Sequence, residues 1–207
     1  MSYLTVLLSV MAVHMVVLVS PGPAFLIVTQ TSIGHSRRQG VLTALGVSCA
    51  TFLWSSAALL GISLFLETTA WLYQGMKLLG GAYLIYLGVE SWRHAGKKPN
   101  PKVEMSLISS GWRSFRVGFI TNLTNPKAVI FFSSIFASLL PSQLPLWMRA
   151  AAAGVVVFDA LWWHVALAFT FSTRPAQQLY AKAKRALDLF AGGFLILVGA
   201  RLMLSKK

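Results

Sequence analysis

Six long apolar runs constrain the fold of this chain more than any other feature of its sequence. An α-helix rises about 1.5 Å per residue, so roughly 20 apolar residues are enough to cross the ~30 Å hydrocarbon core of a bilayer. The runs extend over residues 4–33, 41–64, 72–92, 117–140, 149–171 and 187–204. The sequence therefore predicts an all-α integral membrane protein with six transmembrane helices.

The composition agrees with a membrane protein. Charged residues make up 11% of the chain, against about 25% in a typical soluble domain. The net charge of +13 does not indicate a nucleic-acid-binding protein, because the basic residues fall in short clusters between the apolar runs. The single cysteine, Cys49, excludes an internal disulfide and a multi-cysteine metal site. No phosphate-binding loop or nucleophile motif is present, so we expect neither a cofactor nor an enzymatic activity.

The distribution of Lys and Arg predicts how the helices are oriented. One face of the predicted bilayer receives 12 of the 18 basic residues, the other receives 5, and Lys127 lies inside a run. Because basic loops remain in the cytoplasm, the richer face should be cytoplasmic and both termini should lie outside. No Lys or Arg precedes the first run, as it would in a cleaved signal peptide, so we expect the first helix to be retained.

The first run is too long for one upright helix, and it contains Pro21-Gly22-Pro23. Each proline removes a backbone donor and frees the carbonyl four residues earlier, which is that of Val17 for Pro21 and that of Val19 for Pro23. Secondary transporters use such broken helices to expose backbone groups to a substrate. A plain proline kink is an equally acceptable interpretation of this stretch taken alone.

A second break is predicted in the fourth run, at Asn122-Leu123-Thr124-Asn125-Pro126-Lys127. Pro126 should free the carbonyl of Asn122, and the two asparagines can replace lost backbone hydrogen bonds. Lys127 lies about half-way along the run, where a cation costs about 2.5 kcal/mol or more on insertion scales. Such a charge marks a pathway or an ion pair, and the alternative is a lysine that snorkels to the interface.

Asp159 is the only acidic residue deep inside a predicted span. It is a candidate proton carrier, and the alternative is a structural salt bridge with Lys127. Gln30 and Thr31 are weaker candidates for the wall of a polar cavity, because membrane helices also use such residues to bond one another.

Other polar and aromatic side chains are expected to have structural roles. His14 and His164 are predicted to be hydrogen-bonded packing residues, and tryptophans such as Trp162 to fill space between helices. Asp188 is expected near the start of the last helix, where a negative charge is favourable.

The two halves of the chain resemble each other. Segment 81–88 matches segment 192–199 at an offset of 111, Gly46 and Trp54 match Gly154 and Trp162 at 108, and the second break falls opposite the first at 104. A unit of three spans must insert its second copy in the opposite orientation, so this is an inverted repeat. The predicted single membrane domain, 1–207, therefore comprises repeat one (1–93), a cytoplasmic linker (94–116) and repeat two (117–207).

With the motifs Ala12-Val13-His14, Ser20-Pro21-Gly22-Pro23, Gln30-Thr31 and the segment 121–128, the chain resembles the lysine-exporter/RhtB family of bacterial amino-acid exporters. Within that family it is most similar to the threonine-efflux branch. The resemblance implies an exporter of small neutral amino acids, such as threonine or homoserine, in the bacterial cytoplasmic membrane and driven by the proton-motive force. Threonine-type members often carry Asp directly after Pro-Gly-Pro, where this chain has Ala24, so the substrate stays open.

Our hypothesis for the site combines both breaks. A substrate carboxylate meets Lys127 and backbone N–H groups, while its ammonium meets freed carbonyls, with Asp159 as counter-charge or proton carrier. The predicted substrate-binding residues are Pro21, Gly22, Pro23, Gln30, Thr31, Asn122, Asn125, Pro126 and Lys127. The predicted partners are a small amino acid and the lipid bilayer, with a possible homodimer and no nucleic acid.

Three alternatives are kept. An exporter of another amino acid or of a small cation is the first. A membrane-embedded enzyme is the second, and the lack of a recognisable catalytic pair argues against it. A non-transporting scaffold is the third, and the cost of placing Lys127 and Asp159 in a membrane argues against that one.

Overall fold

The protein is all-helical in a computed structural model that describes residues 2–65, 70–93, 95, 110–132, 140 and 144–204. Eight helices and no strand occur within these ranges. In chain order they are α1 (Tyr3–Val19), α2 (Pro23–Gly34), α3 (Arg37–Phe65), α4 (Ala70–Arg93), α5 (Gly111–Leu123), α6 (Pro126–Ile130), α7 (Leu146–Phe171) and α8 (Arg174–Leu204).

The helices identify a multi-pass membrane protein. Helices α3 and α7 are each long and apolar enough to cross a bilayer, and α1 with α2 forms a third candidate span, bent by 58° at its break. The predicted break in the first run is therefore confirmed. The fourth run is also interrupted where predicted, because α5 ends at Leu123 and α6 begins at Pro126.

Two helices begin earlier than the apolar runs indicate. Helix α5 begins at Gly111 because the Ser110 hydroxyl accepts the N–H of Arg113 as an N-cap. Helix α8 begins at Arg174, so most of the loop expected at residues 172–186 is helical instead. Hydropathy marks the part of a helix that meets lipid, whereas the polar first turns of α8 are rich in good helix formers such as Ala, Gln and Lys.

This longer α8 corrects the expected position of Asp188. The residue lies in the middle of α8 rather than near its start, and it is 2% exposed. Its carboxylate accepts a hydrogen bond from the Lys184 ammonium, one turn earlier, at 2.5 Å.

Two apolar clusters flank the first break. One joins α1 to α7 and α8 through residues such as Val10, Met148 and Leu195. The other joins α2 to α3 and α7 and includes Val28 and Val47. Since Val17 belongs to the first cluster and Ala24 to the second, the break at residues 20–22 lies where the two packed regions meet.

Helices α4 and α8 approach closely through two pairs of glycines. A Cβ atom on Gly88 would come 2.5 Å from the carbonyl oxygen of Gly192, and one on Gly199 would come 2.5 Å from that of Gly81. Small residues that let two backbones meet are a common basis of helix packing in membranes. The glycines of α4 and α8 therefore have a structural role in packing the two helices.

Candidate functional site

The two helix breaks meet at one cavity. Its volume is about 450 Å³, counting the part that is open to the surface. The first break contributes Ser20 and Gly22 to the lining, and the second contributes Asn125 and Lys127. Residues of α1, α2, α3, α5, α6 and α7, together with Phe131 and Phe132, complete the walls.

Lys127 connects the two breaks directly. Its Nζ donates a hydrogen bond of 2.6 Å to the carbonyl oxygen of Ser20, and the residue is 8% exposed. The Ser20 carbonyl follows the last turn of α1, where carbonyls lack intrahelical partners. The side chain passes along Gly22, where a Cβ atom would lie 3.4 Å from Cδ and 3.6 Å from Nζ of the lysine. Lys127 therefore points into the protein, and the snorkelling alternative is wrong.

The first turn of α2 presents backbone donors beside Lys127. Gly22 is the N-cap and has no side chain to cap the helix, while Pro23 at the first position has no N–H. The N–H of Leu26 donates a hydrogen bond of 2.9 Å to the Gly22 carbonyl. The N–H groups of Ala24 and Phe25 thus have no partner within the helix, and both residues line the cavity. The helix dipole makes this end favourable for an anion.

The end of α1 has the opposite polarity. Val17 and Leu18 line the cavity one turn before the break, and their carbonyls belong to the final turn, whose acceptors have no intrahelical donors. A proline at position 21 removes the donor that Val17 would otherwise meet. The cavity therefore has acceptors on the α1 side and donors on the α2 side, which suits a ligand that carries both charges.

The two asparagines of the second break bond within the protein. The Asn125 side chain caps α6 by accepting the N–H of Lys127 at 3.0 Å, and its Nδ2 donates to Oδ1 of Asn122 at 3.4 Å. Asn122 in turn donates to the Val47 carbonyl and to the Thr51 hydroxyl of α3, both at 3.0 Å. These bonds hold the break against α3.

The carbonyl of Asn122 is not free, contrary to the prediction. It accepts the N–H of Asn125 at 3.2 Å, because the chain turns at Thr124 before α6 begins at Pro126. A proline at the first helical position removes an N–H that would have no partner in any case. Pro126 therefore starts a new helix and leaves no unpaired acceptor at Asn122.

Asp159 pairs with His14, not with Lys127. Nδ1 of His14 lies 3.4 Å from Oδ2 of Asp159, and the two residues are 3% and 4% exposed. No ion pair joins Lys127 to Asp159 among the described residues, so the salt bridge considered between them is wrong. The cause is the rotation of α7, which presents Asp159 to α1. His14 lines the cavity, whereas Asp159 lies behind it.

Both histidines are hydrogen-bonded, as predicted, but they also line the cavity. His14 packs against the ring of Phe131 with 4.9 Å between centroids. His164 donates from Nδ1 to the carbonyl of Ala160 at 2.7 Å. One feature of the sequence points to His14: it precedes Pro21 by seven residues, or two helical turns, and so lies on the face that leads to the break.

The other predicted residues divide into three groups. Gly22, Asn122, Asn125 and Lys127 line the cavity. Pro21, Pro23 and Pro126 lie in the backbone of the breaks and are not among the lining residues. Gln30 and Thr31 lie further along α2, outside the lining.

The local bonding of the third group is clear. The Thr31 hydroxyl donates to the Ile27 carbonyl of its own helix at 2.7 Å, and the buried Oε1 of Gln30 has no hydrogen-bond partner.

Trp162 is 54% exposed, so it lies on the outer surface and does not fill space between helices. In the part of the chain that the structure describes, no group of three or more His, Cys, Asp or Glu side chains forms a metal site.

Comparisons with known proteins agree with this architecture. The LysE type translocator family matches residues 15–206. The threonine efflux protein of Escherichia coli strain K12 is 36% identical over 208 residues, which cover 98% of this chain and 100% of that protein. The threonine efflux protein of Salmonella typhi is 34% identical over 203 residues, or 96% of this chain and 97% of that protein.

A homoserine/homoserine lactone efflux protein of Salmonella typhimurium is 28% identical over 193 residues, which cover 88% of each chain. No solved structure matches the chain.

Proposed function

The chain belongs to the LysE type translocator family, and on that premise we propose that it exports small neutral amino acids of the threonine or homoserine type. It is a transporter rather than an enzyme, as its efflux relatives are. The proposed protein is a secondary-active exporter of the bacterial cytoplasmic membrane that is driven by the proton-motive force. The efflux relatives named above support this substrate class.

The observation that carries the proposal is the bond from Lys127 to the Ser20 carbonyl across the two breaks. The lysine ammonium occupies the acceptor end of α1. A zwitterionic substrate brings an ammonium for those carbonyls and a carboxylate for Lys127 and the first turn of α2. Binding therefore exchanges one ammonium for another at α1, and no net charge enters the cavity.

Ala24 bears on the charge of the substrate. The residue lines the cavity and is 8% exposed, at the position where threonine-type members often have Asp. The acidic side chain of Asp159 contacts His14 but is not part of the cavity lining. No carboxylate therefore lines the cavity at position 24, so the charge that such an Asp would supply to the site is absent there.

We also propose that the six spans form two inverted three-helix repeats. The offset of 111 maps Gly81 onto Gly192 and Gly88 onto Gly199. A two-fold axis between the repeats would therefore exchange the contact of Gly81 with Gly199 for that of Gly192 with Gly88, and both contacts are present. Gly154 and its repeat counterpart Gly46 do not follow this symmetry. A Cβ on Gly46 would collide with the Phe115 carbonyl, whereas no described atom lies within 4 Å of one on Gly154.

The orientation follows from the 12-to-5 charge asymmetry, with both termini outside and the linker 94–116 in the cytoplasm. In a Cys49→Ala background, which removes an exposed native thiol, Ser2→Cys and Ser205→Cys should react with an impermeant thiol reagent in intact cells. Ser109→Cys should react only after the membrane is opened. Labelling at position 109 alone in intact cells would invert the proposed orientation.

Uptake into inside-out vesicles tests the function. Vesicles with an acidic interior should accumulate labelled threonine or homoserine, and Lys127→Met should reduce the rate about tenfold or more, a loss of ~1.4 kcal/mol or more in substrate recognition. Lys182→Met is the matched control, because Lys182 is exposed on α8 and its removal takes the same charge from outside the cavity. It should transport normally.

Three outcomes would contradict the proposal. Wild-type uptake by a folded Lys127→Met variant would remove the lysine from the site. Failure of the wild-type protein to accumulate any small neutral amino acid would overturn the function, and chemical conversion of the substrate would indicate an enzyme. Combining Asp159→Leu with Lys127→Met should not restore export, because the two side chains are not paired.

A further inference from the structure

His14 separates the cavity from the buried carboxylate of Asp159. The imidazole lines the cavity, and its Nδ1 lies 3.4 Å from Oδ2 of Asp159, which is not part of the lining. Both residues are almost fully buried. Of the titratable side chains in the lining, which are those of His14, Lys127 and His164, only the imidazole of His14 contacts a carboxylate.

We propose that His14 is the proton carrier that couples export to proton entry, and that Asp159 is a positioning residue that acts through it. The inference rests on the proposed function. Asp159 accepts Nδ1–H and so fixes the tautomer, which leaves the lone pair of Nε2 to bind a proton. Protonation forms an N–H bond at Nε2 on the outer side, and the same bond breaks when the proton is released to the cytoplasm.

The charged and titratable groups around His14 favour alternation between proton and substrate. Helix α7 presents Asp159, which stabilises the imidazolium, and His164, and α6 presents Lys127 in the same cavity. Leu84 of α4 and Leu195 of α8 belong to the apolar cluster that includes Phe131, the ring against which the imidazole packs. A second positive charge close to His14 disfavours its protonation.

A bound substrate brings positive charge closer to His14 than Lys127 does, since the lysine ammonium bonds the Ser20 carbonyl, six residues after His14. The carbonyls proposed to receive the substrate ammonium are those of Val17 and Leu18, which lie three and four residues after His14 and so on the same helical face. An ammonium placed there is next to the imidazole and repels its proton. The cavity consequently holds either a proton on His14 or a substrate, which is the requirement for proton-coupled exchange.

Two assays on the same inside-out vesicles separate coupling from transport. Accumulation of labelled threonine driven by an acidic interior needs proton binding, whereas exchange of labelled for unlabelled threonine at equal pH does not. His14→Gln should keep exchange within about twofold and lose at least about tenfold in driven uptake. Its remaining uptake should not depend on interior pH between about 5 and 8, the range in which histidine titrates.

His35→Gln is the matched control. His35 is exposed at the end of α2 and does not line the cavity. This variant should retain driven uptake. Driven uptake by His14→Gln at the wild-type level would overturn the proposal, and so would a folded His14→Gln protein that loses exchange as well. Absence of exchange in the wild-type protein would instead overturn the proposed function.

Asp159→Asn tests the same proposal if His14→Gln does not fold. The amide keeps an acceptor for Nδ1–H but removes the charge that favours the imidazolium. With the external pH held constant, half-maximal driven uptake should require a more acidic interior, while exchange is unchanged. A pH profile identical to that of the wild type would overturn the role of the pair.

Discussion

Lys127 and Ser20 illustrate how one contact removes two costs in the interior of a membrane protein. A buried ammonium without a partner and a backbone carbonyl without a donor are each destabilising. The 2.6 Å bond between them satisfies the lysine with an acceptor that the first break makes available. In the proposed mechanism, this contact ends when a substrate supplies a new partner to each group.

Gly22 is the residue that brings the backbone against this lysine. Its φ of −162° and ψ of −178° are extended values that any residue can adopt, so Gly22→Ala should change the free energy of unfolding by less than about 0.5 kcal/mol. The new methyl group would lie 3.4 Å from Cδ and 3.6 Å from Nζ of Lys127. We expect KM for export to rise about tenfold, as for one methyl group in a close-fitting site.

Thermal unfolding and the concentration dependence of uptake measure these two effects separately. Gly75→Ala is a suitable control, because no described atom lies within 4 Å of a Cβ at that glycine. If KM were the same in Gly22→Ala and in the wild type, Lys127 would not need the space beside Gly22 to reach the substrate.

At the level of helices, the fourth run is built from two separately capped pieces. Ser110 caps α5 by accepting the N–H of Arg113 at 3.3 Å, and Asn125 caps α6 by accepting that of Lys127 at 3.0 Å. The first cap is exposed, while the second is 5% exposed and lines the cavity. The break is therefore a junction between two separate helices and not a distortion within one helix.

Comparing the two caps separates stability from function. Asn125→Ala should lower the free energy of unfolding by about 1–2 kcal/mol and strongly reduce export, because the cap positions Lys127. Ser110→Ala should cost about 0.5–1 kcal/mol and leave export unchanged. Chemical denaturation and vesicle uptake measure both variants. Equal losses of export in the two variants would mean that the cap at Asn125 has no specific role in the site.

At the level of the whole molecule, the glycine contacts of α4 and α8 tie the first half of the chain to the second. Gly88→Ala places a methyl group 2.5 Å from the Gly192 carbonyl, and Gly199→Ala places one 2.5 Å from the Gly81 carbonyl. Each should destabilise the protein by about 1–3 kcal/mol through overpacking, and the proposed two-fold symmetry predicts similar values for both.

Gly154→Ala should have the opposite sign. Its Cβ meets no described atom within 4 Å, so replacing glycine in a helix should stabilise the protein by up to about 1 kcal/mol. Thermal unfolding of the purified variants measures all three effects. Stabilisation by Gly88→Ala or Gly199→Ala would show that the two helices are not in close contact.

The apolar runs and the prolines were sufficient to predict the helical membrane fold and the positions of both breaks. The reason is that these properties are local. A proline lacks its N–H whatever surrounds it, and burial of a run of apolar residues in lipid or in a protein core is favourable wherever the run lies in the chain. The burial of Lys127 was predicted for the same reason, since its position in the run is given by the sequence.

The partners of the buried polar groups were decided only by the tertiary structure. Lys127 bonds a carbonyl 107 residues away, and His14 bonds a carboxylate 145 residues away. Which side chains meet across such distances depends on how each helix is rotated about its axis, and that rotation results from the packing of many apolar contacts at once. The rotation of a helix cannot be deduced from sequence separation and residue type. The pairing of Asp159 with His14 could therefore be found only in the folded protein.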